Sequence, residues 1–214
     1  MSVLRNVGDK MNFKENLDKL RKESKKRKFD QTLDLIINLK GIDLRRDNIS
    51  LVVPISHKVK DKKVCGFLTK KSDLVTTITK PEFDKYREPG KLREIVKEFD
   101  FFISHASLMP SVASTFGKAL GPSGKMPSPQ LGVITEETPA VIKSLLEKIS
   151  KSVKIRIREA CVKVAIGKES MKDEDIITNL QTVYEAVVNA LPTKKENVKN
   201  VQLKFSMSKP VEVN

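Results

Sequence analysis

Apolar positions recur along this chain in two rhythms. The strictest alternation runs over residues 32–39, where Leu33, Leu35, Ile37 and Leu39 fall on one face of a predicted strand. Before it, Phe13, Leu17 and Leu20 repeat at spacings of four and three, which predicts a helix over 12–28 with Asn12 as its N-cap. That helix is expected to end in Lys25-Lys26-Arg27-Lys28, where cations suit the dipole. Residues 49–55 read as a second strand, joined to the first by 41–48. Toward the other end, 153–158 alternates again as a strand with one cationic face, and 163–166 continues in the same style until Gly167 turns the chain. A helix from Asp173 to Ala190 follows, stopped by Pro192, and residues 201–205 read as the last strand.

The middle has a different texture. Short apolar runs at 64–68, 72–78 and 99–103 read as buried strands. Helical patterns at 91–98, after Ser107 and at 139–150 lie between or behind them, with Pro110 in the first turn of the second. Strands alternating with helices indicate a three-layer α/β arrangement around a mainly parallel sheet. The segment from Gly117 to Pro129, rich in glycine and proline, reads as a fixed loop with exposed lysines at 118 and 125.

Charge sharpens this division. Lys and Arg number 41 against 27 Asp and Glu, a net charge of +14. Residues 1–60 carry +7, 61–150 carry +3 and 151–214 carry +4. A basic domain built from both ends and interrupted by a more neutral insertion fits that distribution. So large an excess attracts polyanions. Aromatics are only 5% and Trp is absent, which argues against a single-strand reader built on stacked platforms. No stretch approaches the roughly 20 apolar residues of a membrane span. Arg5, Lys10 and Lys14 break any signal-peptide core, so a soluble protein made in the cytosol is expected.

Candidate catalytic chemistry does not assemble. A Walker-type loop needs glycine where Ala119 stands and Ser or Thr where Met126 stands. The acidic groups Glu136-Glu137 and Asp173-Glu174-Asp175 sit at predicted helix starts, where the dipole explains them. Neither His57 nor His105 stands in a recognisable nucleophile–base arrangement and no Gly-x-Ser-x-Gly elbow exists, and Cys65 and Cys161, each in an apolar run, read as buried, inert thiols. No metal, cofactor or small-molecule substrate is expected. The run ending at Lys28 is followed by Phe29 and Thr32, offering phosphate pairing, a ring and a hydroxyl. Phe29 reads equally well as a core residue at a strand entrance.

Several segments resemble one family in the same order along nearly the whole chain. Leu120-Gly-Pro-Ser-Gly-Lys-Met-Pro-Ser-Pro129 resembles a signature of the L-one family of large-subunit ribosomal proteins, the protein of the mobile stalk. Arg27-Lys-Phe-Asp-Gln-Thr32 and Leu203-Lys-Phe-Ser-Met-Ser-Lys-Pro210 resemble its two terminal RNA-binding segments, and the Gly-Lys-Met-Pro form is closer to the archaeal branch. The resemblance implies an α/β chain of two domains. Residues 1–60 with 152–214 would form a split α/β sandwich that binds RNA, and 61–151 an inserted Rossmann-like three-layer domain able to swing. It implies no enzyme. It implies a monomer when free of the ribosome, located in the cytoplasm. Implied partners are the stalk helices of large-subunit rRNA, the deacylated tRNA leaving the E site, and the protein's own mRNA as a repression target. Position by position it implies RNA contacts at Lys28, Phe29, Thr32, Arg158, Gly167, Lys168, Ser206, Met207 and Ser208. Gly121, Pro122, Gly124, Lys125, Met126 and Pro127 are left as either a further RNA contact or a structural cap. Ser206 stands where the family has Thr, and Ser208 where it has Gly; a Cβ there is expected to crowd RNA or strain the turn.

Overall fold

The computed structural model describes residues 12–25, 27–43, 49–86 and 88–213. Lys26, residues 44–48 and the basic positions Arg5 and Lys10 lie outside them. In chain order the elements are α1 (Phe13–Glu23), β1 (Thr32–Leu39), β2 (Ser50–Pro54), β3 (Val64–Phe67), β4 (Thr76–Ile78), α2 (Pro89–Glu98), β5 (Phe101–His105), α3 (Met109–Ser123), β6 (Val133–Ile134), α4 (Pro139–Ser150), β7 (Ser152–Arg156), β8 (Cys161–Lys168), α5 (Asp173–Ala190), β9 (Val198–Phe205) and β10 (Val211–Val213). They fall into two compact units, Met1–Val59 with Val153–Asn214, and Lys60–Ser152.

The first unit is organised by an antiparallel sheet in the order β10-β9-β1-β8. Its period-2 pattern does what it must. Leu33, Leu35, Ile37, Val164, Ile166, Leu203 and Phe205 turn inward and are almost wholly buried with Leu17 and Leu20 of α1 and Ile176, Leu180 and Val183 of α5. Each such side chain contributes about 1.5–3 kcal/mol by leaving water. The strands β2 and β7 form a separate pair; their Val53 and Ile155, and Ile55 just after β2, join the same core, with β2 packed on α5. A buried amide staples these parts. Asn179 Oδ1 accepts from the His57 backbone N–H (3.1 Å), while its Nδ2 donates to the carbonyls of His57 (2.9 Å) and Ile166 (3.1 Å).

The second unit is a parallel sheet, β4-β3-β5-β6, between two helical layers. Successive residues of each strand feed opposite faces. Cys65, Phe67 and Phe102 meet α2 and α3, whereas Phe101, Ile103 and Ile134 meet α4. Phe67 stacks on Phe102, with centroids 5.7 Å apart and planes 13° from parallel, and Phe116 closes on Phe67 at 4.7 Å.

Several boundaries differ from the sequence reading. Helix α1 stops at Glu23, because Leu20 is its last core residue and nothing apolar follows before Phe29. Asn12 makes no side-chain cap; its carbonyl instead accepts from the Asn16 N–H and side-chain amide. Strand β4 is shorter than 72–78, since Leu74 sits in a turn, 39% exposed. Strand β5 begins two residues late, because the Phe99 N–H still closes α2 on Ile95. Gly167 turns nothing. It lies buried inside β8, opposite Leu33, and a Cβ there would stand 3.0 Å from Ile176 Cγ1, so the missing side chain makes room for α5. The turn comes after Lys168. Cys65 is buried, and burial, helped by the charge of Glu98, pushes its thiol up to about 12; Cys161 is only half-buried.

The largest correction concerns 117–123, read as loop and found as the second half of α3. Gly117 and Gly121 have open space around them, and Pro122 falls in the final turn. The helix is closed by Gly124 at φ 72°, a left-handed residue of the kind that ends helices. The Gly124 N–H reaches the Gly121 carbonyl and the Lys125 N–H the Leu120 carbonyl, both at 3.0 Å.

Candidate nucleic-acid interface

Backbone pairing brings the two terminal motifs together. Strand β1 enters the sheet at Thr32, opposite Lys168 of β8, and Leu33 pairs with Phe205 at the end of β9. Thr32 and Ser206 lock on each other. The Thr32 N–H donates to Ser206 Oγ (3.2 Å), and the Ser206 N–H donates to the Thr32 carbonyl (3.1 Å). The Ser206 hydroxyl therefore clips two strands as well as facing outward.

A four-residue turn, Phe205 to Ser208, follows, closed by the Ser208 N–H on the Phe205 carbonyl at 3.1 Å. Ser208 is not strained: its φ is outside the left-handed region, where Lys194 is the only non-glycine among the described residues. Its hydroxyl tightens the turn by accepting from the Phe205 N–H (2.9 Å) and donating to the Lys209 carbonyl (3.0 Å). Serine here substitutes a side-chain clasp for glycine's freedom.

What this frame presents is unusual. Among the described residues three large apolar side chains are exposed, and two of them are Phe29 (53%) and Met207 (61%). Phe29 is therefore not a core residue at a strand entrance. Exposed Arg27 and Lys28 precede it. An aromatic ring and a thioether held in water beside cations suit base or sugar packing together with phosphate pairing.

The frame behind these side chains was not legible from sequence. Gln31 is 1% exposed; its Oε1 accepts from the Met207 N–H (3.2 Å) and its Nε2 donates to Glu169 Oε2 (3.1 Å). Asp30 accepts from the Ser170 hydroxyl (2.8 Å) and N–H (3.0 Å), with Lys168 Nζ at 3.7 Å. The Ser170 hydroxyl above all holds the Asp30 carboxyl below its ordinary range. Arg21 reaches across from α1 to the carbonyls of Glu169 (3.0 Å) and Met171 (3.1 Å) and to Asp173 (2.6 Å). The only sequence signal for these partners was position: Asp30 and Gln31 lie between Phe29 and Thr32.

Other expected site residues fall elsewhere. Gly167 is buried beneath α5. Arg158 follows β7, and the neighbouring Ala160 carbonyl accepts from Leu39, at the far end of β1 from Thr32. Seven residues of strand separate those ends, about 24 Å at the usual rise. In the second unit, Lys125 Nζ is committed to the carbonyls of Val96 (2.7 Å) and Phe99 (2.8 Å), at the C-terminal end of α2. Met126 packs on the aromatic core, and Pro127 is buried where a Cβ on Gly132 would lie 3.0 Å from its Cα. Gly121 and Pro122 are exposed. Within this unit Gly124 closes a helix, Lys125 caps another, and Met126 and Pro127 pack inward.

Both histidine side chains have partners within their own unit. His105 Nε2 lies 2.9 Å from the Thr135 carbonyl and so carries the proton, leaving Nδ1 to accept from the Ser107 N–H at 3.2 Å. His57 lies 3.5 Å from Asp175. No group of three or more potential metal ligands occurs among the described residues, and no helix there is long and apolar enough to cross a membrane.

A family model described as the ribosomal protein L1p/L10e family matches residues 20–209. Similar curated proteins named large ribosomal subunit protein uL1 include that of Pyrococcus abyssi, 31% identical over 216 residues covering 96% of each chain. That of Thermococcus kodakarensis is 31% identical over 217 residues, 96% of this chain and 98% of the relative. That of Pyrobaculum calidifontis is 31% identical over 208 residues, covering 92% and 90%.

Proposed function

This chain belongs to the ribosomal protein L1p/L10e family, and from that premise we propose that it grips large-subunit ribosomal RNA through the surface carrying Lys28, Phe29, Thr32, Lys168 and Ser206–Ser208. Membership makes it a structural, non-catalytic constituent of the large subunit of the cytoplasmic ribosome. The observation that carries the site is the exposure of Phe29 and Met207 on a hydrogen-bonded frame. Leaving two such side chains in water has no folding benefit; covering them with a base or ribose does.

The family resemblance supplies the finer roles. The RNA is that of the mobile stalk, and the 61–151 domain moves so that deacylated tRNA is helped from the E site. The same surface, occupied by the protein's own messenger, represses translation. The protein acts as a monomer away from the ribosome.

Binding of a transcribed stalk fragment of large-subunit rRNA tests the site. Phe29→Ala is expected to weaken it by about 1–3 kcal/mol, the usual value of a stacked ring, and Met207→Ala to weaken it in the same direction. Thermal stability should stay the same, since both side chains are exposed. Lys28→Ala should lower the salt slope by about one. Unchanged affinity in both apolar variants rejects the site. A messenger fragment that fails to compete with the rRNA fragment rejects repression through this surface.

A further inference from the structure

Gln31 makes two contacts of opposite sense. The Met207 N–H can only donate, so the atom facing it must accept. The Glu169 carboxylate, when ionised, can only accept, so the atom facing it must donate. A primary amide of this length supplies both at once. A carboxylate would satisfy Met207 and face Glu169 with like charge at about hydrogen-bond distance, while a lysine would satisfy Glu169 and abandon Met207. Gln31 Nε2 also lies 3.5 Å from the Lys25 carbonyl, and its backbone carbonyl accepts from the Glu169 N–H at 2.8 Å. The residue is 1% exposed, so water cannot replace a lost partner.

We infer that Gln31 is a positioning residue for RNA recognition: through Glu169 it couples the 169–171 turn to the 205–208 turn and so fixes where Met207 points. This rests on the RNA-binding reading above. Glu169 is anchored independently, because Arg21 of α1 holds its carbonyl, and Asp30 with Lys168 holds Ser170 beside it. Residues 31 and 169 therefore form one matched pair, which tolerates exchange of amide and carboxylate only when both change. Neither residue touches RNA in this scheme.

The charged groups around the pair are Arg21 from α1, Asp30 and Lys168 beside the turn, and Asp173 at the start of α5. They are the same in every variant below and cancel in comparison with wild type at each pH.

The test uses the full chain with Gln31→Glu, Glu169→Gln and the two combined. Affinity for the transcribed stalk fragment is measured from pH 5 to pH 8, and the Met207 amide is followed by nitrogen-15 NMR in the free protein. Gln31→Glu is expected to bind about tenfold more weakly than wild type at pH 8, with most of the loss recovered toward pH 5, where one proton bridges the two carboxyls. The Met207 amide should become less protected along the same pH course. Combining the changes restores acceptor to Met207 and donor to carboxylate, so affinity and amide protection at pH 8 should return to within about twofold of wild type. A combined variant no better than Gln31→Glu at pH 8 overturns the pairing, as does a Gln31→Glu loss that does not vary with pH. If affinity falls while the Met207 amide stays as in wild type, the positioning role is overturned. If wild type itself does not bind the fragment, the RNA reading fails, and the amide signal still decides whether the pair holds the turn.

Discussion

Lys125 shows how one side chain changes meaning once its neighbours are known. In sequence it is a cation in a glycine- and proline-rich stretch, available to a polyanion. In the fold its ammonium sits on the Val96 and Phe99 carbonyls, where α2 ends with its negative pole. Lys125→Ala is therefore expected to destabilise the 60–152 unit by about 1–2 kcal/mol, the cost of two abandoned carbonyls, and to leave stalk-RNA affinity unchanged. Chemical denaturation and a binding isotherm on the same sample check both halves; a stable variant with weakened binding returns the lysine to the RNA surface. Ser208 corrects in the other direction. The sequence makes it a liability, whereas its hydroxyl clasps the turn that glycine leaves loose. Side-chain-to-backbone clasps of this kind leave no periodic trace, which is why Gln31, Asp30 and Arg21 were invisible beside the motif residues they support.

Among elements, legibility followed pattern length. The eight-residue alternation of β1 was readable because it repeats its period several times, and α5 because acidic residues mark its start and Pro192 lies past its end. Of the short strands of the parallel sheet, β3 was placed to within one residue, β5 was read two residues early, β4 was begun four residues early and the two-residue β6 was not read at all, since a strand buried on both faces has no alternation to set its ends. The second half of α3 was lost because two glycines and a proline outweighed its stripe of Val112, Phe116 and Leu120 in the reading. Lys28, Phe29 and Thr32 stood out as a cation run followed by a ring and a hydroxyl, whereas Ser206–Ser208 was legible as a candidate only through motif resemblance; the antiparallel pairing of Leu33 with Phe205 brings the two segments to the same end of the sheet. Asn179 belongs to this scale, because one amide joins α5 to the His57 segment and to β8. Asn179→Ala is expected to cost about 2–3 kcal/mol, more than a surface helix substitution, by stranding buried backbone groups. A loss below about 0.5 kcal/mol in urea unfolding would show that water takes the amide's place.

For the whole molecule, the two cysteines form a natural pair of reporters, one in each unit. Cys161 is half-exposed on β8, whereas Cys65 is buried beneath α2 and its thiol is held at about 12. At pH 8, a thiol reagent should label Cys161 in the native protein and Cys65 only as the parallel-sheet unit opens. Mapping the labelled peptides along a urea series separates the stabilities of the two units. Equal native labelling of both cysteines would contradict the burial of Cys65.

Strand β1 has its hydrogen-bonding neighbours, β8 and β9, more than 120 residues further along the chain, in the registers Thr32 to Lys168 and Leu33 to Phe205. As the polypeptide leaves the ribosome that makes it, β1 emerges early and waits without a partner while the whole 60–152 unit is completed. Its sheet closes only when Val198–Phe205 arrives, and the Ser206–Ser208 turn forms in the same moment. A nascent chain stalled anywhere before that point has no assembled grip. On the proposed reading, competence to hold RNA therefore reports that translation has passed Ser208.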